Sequence, residues 1–198
     1  SRLMMLLLTT HFRFPFSRET WDGYLSFMPA FLQDEICRYR QWPDRHCSLL
    51  GKLLLRKGLQ HYGYDPSILQ SLQRDEYDRP SIEGAPEFSI SHSANHVICA
   101  VCNAAKMGVD IEWIREIDFT HYQSYMTMGE WSTIYKASFP EAEFFRYWAL
   151  KESVIKADGR GLSAPWQAIE IQNGYAKLER KKWYVQELDL YPDMASWL

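Results

Sequence analysis

Two clusters of charged residues, about forty positions apart, carry side chains of the types and spacing that chemistry needs. The first is Gly108-Val109-Asp110-Ile111-Glu112. The second is Trp148-Ala149-Leu150-Lys151-Glu152-Ser153-Val154-Ile155-Lys156. The first reads as a strand. Strand side chains alternate faces, so Asp110 and Glu112 share one side while Val109 and Ile111 take the other. Adjacent carboxylates repel, a divalent cation relieves the repulsion, and oxygen ligands suit magnesium. A solvated strand face is the bland alternative. The second cluster reads as a helix on which Trp148, Glu152 and Lys156 follow one another at four-residue steps along one side. Lys151 projects from within an apolar arc of Phe144, Tyr147, Trp148 and Ile155. Snorkelling, with an ordinary Glu152–Lys156 surface pair, accounts for it blandly. The sharper account is a diphosphate lying against the helix, met by ammonium groups acting as point charges. Three carboxylates beside two lysines can hold a magnesium ion and a diphosphate together, so phosphoryl-group chemistry is the leading expectation.

A third polar group precedes them. His92 lies between Ser91 and Ser93, in what reads as a tight polar turn after an apolar strand. With Ser89 and Ser91 it offers donors that could hold a phosphate, the alternative being a turn histidine with local hydrogen bonds. His92 and His96 are four apart, but the pattern there is turn and strand, so a helical metal pair is not expected.

The elements that must position these residues follow from periodicity and punctuation. Leu3 to Leu8 reads as a buried strand, too short to span a bilayer and without a signal-peptide pattern. Leu32 to Tyr39 and Arg45 to Gln60 read as helices, the second with apolar Leu49, Leu50, Leu53, Leu54 and Leu59. Phe88 to His92, Val97 to Cys102 and Met107 to Glu112 read as strands. Glu130 to Ala137 and Glu141 to Ala157 read as helices, the latter stopped by Asp158-Gly159 and Gly161. Ala168 to Gln172 and Trp183 to Leu188 read as strands, with Asn173-Gly174 marking a hairpin turn. The order, helix then strands, occurs once before residue 112 and once after, which divides the chain into halves 1–112 and 113–198.

At 198 residues with net charge −3, the chain fits one ordinary domain or two small halves, and no global field points to nucleic acid or a membrane. Cys37, Cys47, Cys99 and Cys102 lack disulfide-framework spacing, so a reducing cytoplasm is the expected compartment. Cys99 and Cys102 form a C-x-x-C, but with no second pair they read as buried structural thiols.

In order along the chain stand Ser89-Ile90-Ser91-His92-Ser93, Gly108-Val109-Asp110-Ile111-Glu112, and Trp148-x-x-Lys151-Glu152-Ser153-x-x-Lys156 followed by Gly159-x-Gly161-Leu162. Together these resemble the Sfp-type 4′-phosphopantetheinyl transferases. Tyr77-Asp78-Arg79-Pro80 resembles the family's short basic-Pro segment, and His46-Cys47-Ser48-Leu49-Leu50-Gly51 its first long helix. The resemblance covers about residues 37 to 188.

The resemblance implies an α+β fold of two similar α/β subdomains related by a pseudo-twofold axis, with the active site in the cleft between them. It implies an enzyme of the holo-acyl-carrier-protein synthase type. Such an enzyme moves the 4′-phosphopantetheine group of coenzyme A to a serine of an apo acyl or peptidyl carrier protein and releases 3′,5′-ADP. On the same ground Asp110, Glu112 and Glu152 are expected to hold Mg2+, and Lys151 and Lys156 to contact the diphosphate. Ser91 and His92, with Ser89, are expected at the 3′-phosphate, and Arg79 and Arg74 at the nucleotide. Glu152 is expected to take the serine proton. The family's N-terminal lysines have no clean match, since Gln33 and Ile36 fall about where they are expected; Arg38, Arg40 and Arg45 are the replacements at hand. The second half is expected to stop short of the relatives' last strand, with Tyr191 to Leu198 beginning it. The partners are coenzyme A and a carrier, whose serine opens an acidic helix, with no nucleic acid or membrane, and a monomer is expected. Arg180-Lys181-Lys182 reads as a local basic contact or a solvated hairpin. The other readings are a non-catalytic coenzyme A or carrier-binding module of the same fold, and a magnesium-dependent hydrolase of nucleotide diphosphates.

Overall fold

A computed structural model describes residues 5–198. The chain forms two compact α+β units, Ser1–Lys106 and Met107–Leu198. The division falls six residues earlier than the halves expected from the sequence. The strand read as closing the first half pairs with β-structure near the C-terminal end, Met194–Trp197, in the second unit.

The first unit begins with β1 (Met5–His11), then α1 (Arg18–Leu25), α2 (Ala30–Cys37) and α3 (Trp42–His61). Short strands β2 (Leu72–Arg74) and β3 (Pro80–Ile82) lead to the hairpin of β4 (Glu87–Ser93) and β5 (His96–Cys102). The main sheet is antiparallel in the order β1-β5-β4, with Leu8 opposite Cys99 and Ile90 opposite Cys99 on the other side. Strand β1 is therefore an edge, and its leucines are half-buried where a fully buried strand was expected; Leu3 and Met4 lie outside the described residues.

Helix α3 lies on this sheet because two of its residues have no side chain to hold it off. A Cβ on Gly51 would meet Ile90 at 2.8 Å, and one on Gly58 would meet Val101 at 2.7 Å. The core beneath contains Leu49, Leu55, Leu59, Phe88, Cys99 and Val101. Cys99 and Cys102 are buried and free; three apart in a strand, they point to opposite faces and cannot share a metal.

The second unit starts with β6 (Asp110–Trp113), followed by α4 (Met128–Lys136) and α5 (Pro140–Asp158). It continues with β7 (Ile169–Gln172), β8 (Tyr175–Leu178), β9 (Lys181–Tyr184), β10 (Glu187–Leu188) and β11 (Met194–Trp197). Helix α4 opens with a capping box, Thr127 Oγ1 accepting from the Glu130 amide at 3.1 Å while Glu130 Oε1 accepts from the Thr127 amide at 2.8 Å. Helix α5 starts on Pro140 and ends on Gly159, whose φ of 94° is the left-handed turn that glycine adopts without strain. One sheet runs β10-β11-β6 and another β7-β8-β9. Asn173-Gly174 does make a hairpin, but its second strand is Tyr175–Leu178, and the run Trp183 to Leu188 is split between β9 and β10. Strand β11 pairs antiparallel with β6, Trp197 opposite Asp110 and Ala195 opposite Glu112.

Candidate functional site

The first acidic cluster and the second one meet within a single unit. Gly108, just before β6, lies against α5 so closely that a Cβ there would come 2.1 Å from the Ser153 carbonyl oxygen and 2.6 Å from the Ala157 amide nitrogen. Only glycine permits that approach, because both obstacles are backbone. The contact brings Lys156 to the strand. Its Nζ donates to Asp110 Oδ1 at 2.8 Å and to the Val109 carbonyl at 3.2 Å.

Asp110, Glu112, Glu152 and Lys156 form one electrostatic group. Burial, then the charges of Asp110 and Glu152, push the Glu112 carboxyl up to about 8, against the pull of Lys156. Burial and the Asp110 charge push Glu152 up to about 7. Burial opposes the charge on Lys156, yet Asp110, Glu152 and Glu112 together hold its ammonium above the ordinary value. The Asp110 side chain is 3 % exposed and that of Lys156 30 %, so the group is covered but reachable.

Among the described residues no three His, Cys, Asp or Glu side chains converge as a ready-made metal group. The Lys156 ammonium sits among the three carboxylates and supplies the positive charge. The crowding of three carboxyl groups around one ammonium is what raises Glu112 and Glu152, beside their burial, and every acidic side chain in the group offers oxygen donors. That set fits a hard divalent cation.

Lys151 is not part of this group, contrary to the expectation that it meets a diphosphate. Its side chain is 0 % exposed, and Nζ donates to Glu130 Oε1 at 2.7 Å and to the Tyr125 carbonyl at 2.9 Å. Burial pulls this ammonium below its ordinary value, and Glu130 pulls the other way. The apolar arc around Lys151 is thus answered from inside, by a carboxylate that also caps α4. No sequence signal pointed to Glu130, which lies 21 residues away. Between them, Tyr122 and Tyr125 stand edge-on to Trp148 at 5.2 Å, one helical turn before Glu152.

In the first unit, Ser89, Ser91 and His92 lie in β4 itself. His92 is a strand residue opposite Val97, not a turn residue, and the turn falls at Ala94-Asn95. Ser89 and Ser91 are buried on one face, and His92 is exposed on the other. Arg79 pairs with Glu87 at 2.9 Å. Arg74 pairs with Glu35 at 2.9 Å, where Lys52 joins at 3.1 Å.

Comparison with known proteins covers both units. Residues 14–104 match the family described as 4′-phosphopantetheinyl transferase, N-terminal, and residues 106–193 match the 4′-phosphopantetheinyl transferase superfamily. The chain is similar to the 4′-phosphopantetheinyl transferase Sfp of Bacillus subtilis, 31 % identical over 83 % of this chain and 76 % of that protein. It is 36 % identical to the 4′-phosphopantetheinyl transferase gsp of Aneurinibacillus migulanus over 70 % of this chain and 59 % of the relative. A Xenopus laevis relative, the L-aminoadipate-semialdehyde dehydrogenase-phosphopantetheinyl transferase, is 30 % identical over 71 % of this chain and 52 % of its own length.

Proposed function

The chain belongs to the 4′-phosphopantetheinyl transferase superfamily, and from that premise we propose how its residues move the 4′-phosphopantetheine group from coenzyme A to a serine of an apo carrier protein. The observation that supports the assignment most directly is the junction of β6 with α5. There Asp110, Glu112 and Glu152 share one electrostatic group with Lys156.

Asp110, Glu112 and Glu152 would hold magnesium, which supplies charge neutralisation on the diphosphate and its leaving oxygen. Lys156 binds and orients the diphosphate. Its ammonium already lies on Asp110, and a flexible four-carbon stem lets it turn to phosphate oxygens. Glu152 takes the proton from the carrier serine, directly or through a water, as that oxygen attacks the pantetheine-bearing phosphorus. The phosphorus–oxygen bond to 3′,5′-ADP breaks, and the electron pair leaves with that product. Trp148, one helical turn before Glu152, packs edge-on with Tyr122 and Tyr125 and so fixes that side of the helix. Lys151 binds no substrate in this mechanism.

His92, exposed on its face of β4, is assigned to the 3′-phosphate; the side chains of Ser89 and Ser91, buried on the opposite face, are not on its side of the strand. Arg79 and Arg74 are assigned to the nucleotide, exchanging their carboxylate partners Glu87 and Glu35 for phosphate oxygens. A cytoplasmic monomer completes the reading. The four free cysteines suit a reducing compartment. No helix among the described residues is long and apolar enough to cross a membrane.

The test is a panel of apo carriers with coenzyme A and magnesium, read by mass spectrometry. A gain of one phosphopantetheine on the carrier serine is expected. No gain with any carrier despite coenzyme A binding, or coenzyme A cleavage with no carrier present, would overturn the reading.

A further inference from the structure

Lys156 lies in the last turn of α5, the part of a helix that is least well held. The carbonyls of that turn have no further turn to bond, and a helix end left alone frays. The residue that closes the helix adds to the difficulty. Asp158 puts a carboxylate at the negative end of the helix dipole, with its side chain only 2 % exposed. An acidic group is favoured at the other end of a helix, so this one must be offset locally.

Arg160 offsets it from the far side of Gly159. Its Nε donates to Asp158 Oδ2 at 2.6 Å and its Nη2 to Oδ1 at 3.3 Å. The same guanidinium reaches Glu179, Nη1 donating to Oε1 at 3.2 Å and Nη2 to Oε2 at 3.3 Å. Lys181 Nζ stands 4.0 Å from the Asp158 carboxylate. Burial pushes the Asp158 carboxyl up, but the hydrogen bond and charge of Arg160, with the charge of Lys181, hold it below its ordinary value. A planar fork can bridge two carboxylates in this way, which the point charge of an ammonium cannot.

Glu179 itself stands where glycine would be cheaper. Strands β8 and β9 pair Leu178 with Lys181, so Glu179 and Arg180 make the turn. Glu179 has a φ of 56°, a conformation that glycine adopts freely and a residue with a Cβ does not. The hairpin beneath it is firm, since Ala176 and Leu178 of β8 belong to the same core as Phe144, Ala149 and Val154 of α5. A glutamate held at a glycine position is explained by the carboxylate that it presents to Arg160.

We propose that Arg160 is a positioning residue for Lys156: by bridging Asp158 to Glu179 it pins the last turn of α5 to the β8-β9 hairpin and keeps the Lys156 ammonium at the carboxylates of β6. The use of Lys156 on a diphosphate rests on the transferase reading; the pinning of the helix does not. If the last turn unwinds, the backbone of Lys156 moves relative to β6. Its hydrogen bonds to Asp110 and to the Val109 carbonyl then cannot both be kept.

Arg160→Gln should speed hydrogen exchange of amides 156–159 by about tenfold or more, and well beyond any change around Ala149 in the middle of the helix. Coenzyme A affinity, read by calorimetry with magnesium present, should fall by about fivefold or more as the ammonium is misplaced. In the transfer assay KM for coenzyme A should rise to match, while KM for an apo acyl carrier protein should stay within twofold. Partial unfolding alone would lower kcat and leave both KM values where they are. Arg160→Lys, which can meet one carboxylate but not two, should fall between wild type and Arg160→Gln. Glu179→Gly removes the far anchor and relaxes its turn. It should keep the wild-type melting temperature, yet loosen the last turn and weaken coenzyme A binding, so it decides the matter even if Arg160→Gln does not fold. Unchanged exchange at amides 156–159 in Glu179→Gly, or unchanged coenzyme A affinity, overturns the positioning role. Wild type that binds coenzyme A but transfers nothing to any carrier overturns the transferase reading instead, and the exchange and affinity measurements still decide the role of Arg160.

Discussion

Lys151 and Glu130 meet at 2.7 Å inside the second unit, one on the helix that carries Glu152 and the other on the first turn of α4. A buried pair of this kind costs desolvation on both sides, so removing one member leaves a charge with nothing to answer it. Lys151→Met should destabilise the protein by about 3–5 kcal/mol in denaturant unfolding. Adding Glu130→Gln should recover most of that loss, because glutamine keeps the cap on α4 while dropping the charge. The double variant should also bind coenzyme A as wild type does. A large fall in its coenzyme A affinity by calorimetry would return Lys151 to the diphosphate.

Glu152→Gln should separate activity from stability. Transfer should fall by about 10²–10⁴-fold with the loss of the proton acceptor. The melting temperature should hold or rise, since the Asp110 charge acts against Glu152 and a neutral amide escapes it. Turnover like that of wild type would remove Glu152 from the mechanism.

Gly108→Ala should damage the site from behind. The new methyl group would meet the Ser153 carbonyl and the Ala157 amide, neither of which can swing away. A loss of about 3 kcal/mol is expected from thermal or denaturant unfolding, at the upper end for overpacking. Full stability in that variant would mean that β6 and α5 do not approach as described.

The pH dependence of the first unit should follow Glu35. Burial pushes its carboxyl up, but Lys52 and Arg74 overcome that and hold it below its ordinary value of 4.5. A depressed carboxyl stabilises the fold fully above its unfolded value, and the contribution is lost as pH falls through the folded one. Glu35→Gln should therefore cost about 1–3 kcal/mol near pH 7, and the difference from wild type should shrink as the pH drops below 4.5. A gap that stays constant from pH 7 to strong acid, read by urea unfolding, would exclude this account.

Asp110, Glu112, Glu152 and Lys156 were legible in the sequence because strand and helix periods place each pair on one face, and the two faces then meet. Lys151 was legible only as an anomaly. Its position in an apolar arc raised the question, but the answer lay on α4, and no local period connects residues 21 apart. The carboxylate strand was assigned to the first half because it follows β5 in sequence, whereas its partner is β11, which is short and carries only Met-Ala-Ser-Trp. Helix α1 gave no periodic signal because none of its residues is buried. His92 looked like a turn residue for its serine neighbours, but the strand runs on to Ser93 before the chain reverses at Ala94, with φ of 52°.

The pairing of β6 with β11 also sets the order in which the site can form. The backbone bonds of helix α5 are local, so they can begin to form while the chain is still growing. Asp110 and Glu112 sit on a strand whose partner, Met194–Trp197, is made some eighty residues later. Contacts that close so long a loop form slowly and late. The acidic strand thus gains its sheet partner only after α5 has been made, although Gly108 and Asp110 already have contacts on that helix.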